Sequence, residues 1–247
     1  MKKLIIAEKP SLARNIASAL DIRVNKEGYM ENEKYIVSWA FGHLFKLRDV
    51  DGYLGEKRKW SEVKLPFFPE EFEFELKNDL GIKKQYKILK NLINSKEVNE
   101  VVNAGDADRE GQIIVDIIIN AIKTDKKIKR LWLPEQTEET IRKAINNLED
   151  NFKYRNLHNE GLARTYMDWL MGINLTRYIS LKSNMLFPVG RVLIPVIKYI
   201  YDRDLTIKNF SPEKYFTIES ETMCNGTLLK LICDKKYNLL ELEKDFK

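Results

Sequence analysis

Apolar positions along the first half of the chain fall alternately in short continuous runs and in helical stripes. Residues 3–7 carry Leu4, Ile5 and Ile6 in succession, the pattern of a strand covered on both faces. Leu12, Ile16 and Leu20 then recur at helical spacing, with Pro10 suited to a first turn. A second strand is predicted over 35–41. Ile82, Tyr86, Leu89 and Ile93 mark one face of a helix, a central strand follows at 100–104, and Ile113, Ile114, Ile117, Ile118 and Ala121 give a broad stripe on the next helix. Between these, 46–74 is irregular, punctuated by Gly52, Gly55, Pro66 and Pro69, and reads as a long excursion or flap. The basic run 123–130 reads as a solvated turn leading into a strand at 128–133. Thr137 can cap a helix that carries Ile141, Ala144, Ile145 and Leu148. Strands alternating with helices predict an α/β domain with a mainly parallel sheet, ending near Asp150.

The pattern then changes. Residues 153–181 are helical in character, and Gly190, Arg191 and Val192 open another helical segment in which Pro195 must fall in the first turn or kink it. Period-two alternation over 215–221 and again over 229–233 predicts an antiparallel pair.

Composition narrows the classes. A chain of 247 residues with 44% hydrophobic and 32% charged positions is long enough for a sizeable core and is not a disordered one. Its net charge of +5 permits a polyanionic partner without demanding one. Cys224 and Cys233 are the only cysteines, which argues against a disulfide framework and a Cys-based zinc site. The opening lacks the long apolar core of a signal peptide, no run approaches membrane-spanning length, and a cytoplasmic location is expected. There is no phosphate-binding Gly-x-x-x-x-Gly-Lys loop, and Gly105 with Gly111 makes no dinucleotide fingerprint, so a nucleotide-driven motor and a nicotinamide enzyme are disfavoured.

The chemistry concentrates at two strand ends. Asp106, Asp108 and Glu110 fall within five positions where the central strand turns into a helix, and Glu8 and Lys9 stand at the end of the first strand. A helix cap or a salt bridge would explain any one of these. If the two strands lie parallel and adjacent, Glu8 faces the same crevice as Asp106 and Asp108, and such acids share a site only with a shared proton or a hard cation among them, magnesium being the natural choice.

LIIAEKPS, with Glu8, and DADREG, with Asp106, Asp108 and Glu110, resemble the Toprim domain of type IA DNA topoisomerases, and the AEKPS form is similar to the topoisomerase III branch. FGHL at 41–44, LARTYMDWLMGINLTR at 162–177 and VGRV at 189–192 resemble the family's helical domain, and 203–218 its passage into an arched domain. The resemblance implies a Toprim metal-binding domain at 1–150, a helical single-strand DNA-binding domain at 151–210 and the start of an arched β domain at 211–247. It implies ATP-independent cleavage and religation of one DNA strand, with Mg2+ held by Glu8, Asp106, Asp108 and Glu110. Glu8 would act as general acid and then base, and Lys9 would offset charge on the phosphate. Arg164, Asp168, Arg177, Gly190, Arg191 and Val192 would line the single-strand groove. His43, read from its place after the second strand, is a turn residue first and a candidate substrate contact only.

The sequence departs from the pattern in places. No tyrosine is followed by Pro-Arg, so the family's nucleophile is not in this chain. Tyr166, Tyr178, Tyr199 and Tyr201 fall in helical segments. A fragment is therefore expected, whose partners are single-stranded DNA and the carboxy-terminal gate domain of the same protein. Leu193 and Ile194 replace the family's usual Gln-Thr, and Leu162 a commonly basic residue, which predicts weaker groove affinity. Two other readings stay open: a non-catalytic single-strand-binding Toprim module, and another Toprim phosphoryl-transfer enzyme such as a primase or nuclease.

Overall fold

A computed structural model describes residues 1–238. The chain runs through β1 (Lys2–Ala7), α1 (Pro10–Ala19), β2 (Val24–Lys26), β3 (Tyr29–Glu31), β4 (Tyr35–Trp39), β5 (Phe45–Leu47), α2 (Val50–Leu54) and β6 (Phe74–Leu76). It continues through α3 (Leu80–Asn94), β7 (Val98–Ala104), α4 (Arg109–Ile122), β8 (Lys127–Arg130), α5 (Glu138–Ile145), β9 (Glu149–Asp150) and the long α6 (Arg155–Ser183). Beyond these lie α7 (Leu193–Lys208), β10 (Glu219–Cys224) and β11 (Thr227–Ile232).

One seven-stranded sheet, ordered β2-β3-β4-β1-β7-β8-β9, carries the first unit, Met1–Arg191. Its centre is parallel: β1 pairs with β4 on one side and β7 on the other, and β7 pairs with β8. Because β1 and β7 have neighbours on both edges and layers on both faces, their apolar runs are continuous, and Leu4, Ile5, Ile6, Val101 and Val102 are fully buried. One face packs α3 and α4 around Leu89, Ile93, Ile113 and Ile118, and the other packs α1 and α5 around Leu12, Ile16 and Ile141. Thr137 caps α5 as its position suggests, accepting from the Thr140 N–H at 3.3 Å. Among the described residues no helix is long and apolar enough to cross a membrane.

Three segments differ from expectation. The excursion from Lys46 to Phe74 is no loose flap: β5 and β6 close its base by antiparallel pairing, and its rings pack on α6. Phe72 stacks on Tyr166 at 4.0 Å between centroids, Phe67, Phe72 and Tyr53 surround Trp169, and Asn174 bonds the Phe67 backbone on both its N–H (2.6 Å) and its carbonyl (3.0 Å). The basic run at 123–130 contains β8, and its last residue, Arg130, is buried. A β2–β3 hairpin extends the sheet where the polar sequence gave no strand signal.

The second unit begins at Val192. Pro195 lies in the first turn of α7, where its missing N–H costs nothing. β10 and β11 form the expected antiparallel pair, turned by Asn225 and Gly226 at φ 47° and 79°, the geometry of a two-residue hairpin. The alternation from Tyr215 yields only an isolated bridge between Phe216 and Tyr237 before β10 starts at Glu219.

Candidate functional site

β1 and β7 run parallel in a register that sets Ala7 beside Ala104, so both chains leave the sheet at the same level. Glu8 and Asp106 therefore meet: the Glu8 Oε2 accepts the Asp106 backbone N–H at 3.2 Å, and Lys9 Nζ reaches Asp106 Oδ2 at 2.5 Å. Asp108 caps α4, accepting from the Gly111 N–H at 2.7 Å, while Glu110 sits in the first turn of that helix with the His43 imidazole Nε2 at 3.3 Å from its Oε1. Gln136, from the segment ahead of α5, approaches Asp106 Oδ1 at 3.5 Å. Burial foremost pushes the Glu8 carboxyl above its ordinary value. The Asp106 N–H and Lys9 oppose the rise, while the Asp106 and Asp108 charges add to it. The bond to Asp106 raises the Lys9 ammonium, so that cation is firmly charged.

Close backbone approach explains the spacing of the glycines. A Cβ on Gly105 would collide with the Gly111 carbonyl, and one on Gly111 with the Asp106 backbone, so the turn folds tightly onto the first turn of α4 only with glycine at both places.

Two sets of residues not singled out from sequence hold the turn. Arg130, 1% exposed, donates from Nη1 to the carbonyls of Asn103, Gly105 and Leu131 (3.1, 2.9 and 2.9 Å) and from Nη2 to that of Asp106 (2.7 Å). Its guanidinium lies 4.9 Å from the Trp132 ring, and burial draws its pKa down to about 10. Asp116, buried within the apolar stripe of α4, takes bonds from Asn103, Gln112, Asn151 and His158 at 2.8–2.9 Å. Burial alone would raise the Asp116 carboxyl, but these bonds outweigh it and hold the group below its ordinary value. An acid inside an apolar stripe and an arginine closing a strand were the available signals.

The expected groove residues divide. Arg191 grips Asp168 with both Nε (2.6 Å) and Nη2 (3.1 Å), and Arg164 Nε stands 3.7 Å from the same carboxylate. Arg164 also lines a cavity of about 400 Å³ with Asp108, Arg109, Glu110, Leu157 and Glu160, which joins this cluster to the acidic turn. Gly190 has open space where a Cβ would stand, and Val192 is 69% exposed. Arg177 lies apart from that cluster. It is 4% exposed, its guanidinium 5.4 Å from the Trp60 ring and 3.8 Å from Asp49, and it pins the 46–74 excursion to α6.

The donor types suit a hard cation: Glu8 and Asp106 meet at one corner, with Asp108 at the N-cap of α4 and Glu110 in its first turn. Among the described residues no three acid, His or Cys side chains converge into a ready cage. Magnesium fits such a corner because it keeps several waters and takes one or two carboxylates plus phosphate oxygens.

Two known families match successive parts of the chain. Residues 3–136 match the Toprim domain family and residues 153–244 the DNA topoisomerase family. DNA topoisomerase 3 of Staphylococcus haemolyticus is 36% identical over 241 residues, covering 98% of this chain and 33% of that protein. DNA topoisomerase 3 of Bacillus cereus is 39% identical over 222 residues, covering 90% and 30%. The full-length topoisomerase I structure from Thermotoga maritima superposes with a TM-score of 0.58 at 22% identity, over 98% of this chain and 37% of that one, a likeness of fold. The chain thus spans about a third of the length of the curated relatives it matches. With the Toprim match covering more than half of it and the topoisomerase match following, the chain belongs to the Toprim family, in the type IA, topoisomerase III-like arrangement of a Toprim domain and the start of a topoisomerase domain.

Proposed function

We propose that this chain supplies the metal-holding and strand-gripping part of a type IA topoisomerase, which relaxes or decatenates DNA by cutting and resealing one strand without ATP. The observation that carries the reading is the meeting of Glu8 and Lys9, just after β1, with Asp106, just after β7, at one corner of a mainly parallel sheet. Residues 1–150 would form the catalytic corner, 151–210 the strand-binding part, and 211–247 the start of the arched β part.

Asp106 and Asp108, with Glu8 and Glu110 beside them, would hold Mg2+, which when bound neutralises phosphate charge and orients the scissile region. Attack by a tyrosine oxygen on phosphorus breaks the bond to the 3′ oxygen. Glu8, whose carboxyl burial pushes above its ordinary value, would deliver a proton to that leaving oxygen and in religation take it back. Lys9 offsets the charge that builds on the phosphate. The attacking tyrosine is not among the residues of this chain, which holds no Tyr-Pro-Arg. Arg164 and Arg191, organised by Asp168, would grip single-strand phosphates without reading bases. A primase or nuclease has less support, because residues 153–244 match the DNA topoisomerase family.

Magnesium titration by calorimetry tests the corner. Asp106→Ala and Asp108→Asn should each weaken binding at least about tenfold, a loss of about 1.4 kcal/mol. Asp108→Asn keeps the helix cap, so its loss reports on the cation and not on folding. Unchanged affinity in both variants would remove the metal from these residues. Covalent protein–DNA adduct formed by this chain with a single-stranded oligonucleotide would show that it holds a nucleophile after all, and primer synthesis or hydrolytic nicking would favour the primase or nuclease reading.

A further inference from the structure

The helix α3 presents a stripe of positive charge that the acidic corner and the groove do not use. Its inward face is Ile82, Tyr86, Leu89 and Ile93, packed in the core, with Tyr86 edge-on to Phe45 at 5.3 Å. Its outward face carries Lys83, Lys87 and Lys90, all exposed, with Asn94 continuing the line at the same helical spacing. No acidic residue occurs anywhere in Leu80–Asn94. Lys83 reaches only the amide oxygen of Asn78 at 2.5 Å, and among the described residues neither Lys87 nor Lys90 meets an acid. Lys84, on the flank, pairs with Glu27.

This arrangement is unfavourable for the helix by itself. Lysines three and four apart repel, and those near the amino end oppose the helix dipole. Elsewhere the chain avoids the problem: Lys143, Lys153 and Lys198 each pair with an acid four positions away, at 2.6–2.8 Å. From Lys83 to Lys90 the stripe runs straight for about 10 Å at 1.5 Å per residue. The first half of α3 packs at the end of β4, since Gln85 bonds the carbonyl of Trp39 at 2.8 Å, and Trp39 is paired with Ala7 at the end of β1.

We propose that this face of α3 is a second, sequence-independent binding surface for the phosphate backbone of duplex DNA, separate from the single-strand groove. Duplex is favoured over single strand because the stripe has no exposed aromatic ring on which an unpaired base could stack, whereas a duplex offers a rigid, dense row of charge. The inference does not depend on the assignment of the metal or the groove.

Fluorescence anisotropy of the full chain with a labelled 20-base-pair duplex, across a KCl series, tests it. Lys83→Gln/Lys87→Gln/Lys90→Gln should weaken duplex binding at least about tenfold at low salt and flatten the salt slope by about 0.9 for each lysine removed. The control Lys46→Gln/Lys143→Gln/Lys230→Gln, at acid-paired lysines outside both α3 and residues 151–210, changes net charge equally and should leave binding near that of the parent. Equal losses in both variants would reduce the effect to overall charge, and no loss in the α3 variant would remove the surface; either overturns the proposal. Selective loss of binding to anionic vesicles, with duplex binding intact, would overturn it in favour of a membrane surface. Single-strand affinity should survive in the α3 variant and fall in Arg164→Gln/Arg191→Gln, which separates this surface from the groove.

Discussion

Removing the Arg130 guanidinium should loosen the acidic turn without touching any acid. In Arg130→Met the carbonyls of Asn103, Gly105, Leu131 and Asp106 lose their shared donor. Nη1 has two protons for three of those carbonyls, so the group makes about three full bonds, each worth about 1.5–3 kcal/mol to a charged donor. Burying the cation offsets much of this, as its lowered pKa indicates, and leaves a net loss of about 3 kcal/mol. For a chain of this size each kcal/mol moves the melting temperature by about 2–4 °C, so a drop of about 6–12 °C is expected. Asp106 belongs to the released turn, so magnesium affinity measured by calorimetry should fall together with stability. Arg130→Lys keeps the charge but not the planar fork and should fall between parent and Met. A melting temperature within about 2 °C of the parent, with unchanged magnesium affinity, would refute the claim that this side chain holds the turn.

Gly111→Ala places a methyl group against the Asp106 backbone, and a loss of about 2–3 kcal/mol in urea denaturation is expected; a change under about 0.5 kcal/mol would mean that the turn and helix are not as closely packed as described. The lowered carboxyl of Asp116 makes a stability contribution that is fully in place above its ordinary value of 3.8 and is lost as pH falls below that value toward the lower one of the folded state. Asp116→Asn should therefore flatten the acid limb of a urea-midpoint profile, and an unaltered limb would exclude this carboxyl as a source of it.

The elements that carry the acids were legible because they are covered on both sides. β1, β7 and α4 read directly as Leu4–Ile5–Ile6, Val101–Val102 and the isoleucine stripe, and the adjacency of Glu8 and Asp106 followed once the two strands were taken as parallel neighbours. What escaped was stabilised by contacts distant in sequence. Arg130 lies in a run of lysines that reads as solvated, yet its charge is compensated by carbonyls 24 to 27 positions away. The 46–74 excursion lacks any period because rings on α6, not its own pattern, hold it. Arg177 shares its sequence stretch with Arg164, but helical phase turns it toward Trp60. The β2–β3 hairpin is polar and lies at the sheet edge, where no alternation is required.

The bonds around Asp116 amount to a tie rod. His158 on α6 holds Asp116 on α4, Asp116 holds Asn103 at the end of β7, and the Asn103 side chain in turn receives the Gly105 N–H, one residue before Asp106. These three bonds connect α6 to the acidic turn, so a load that a bound strand placed on α6 would reach Asp106 through them. Under the proposed function the rod would gear grip to chemistry, and a substitution within it should alter their timing even where both ends remain intact.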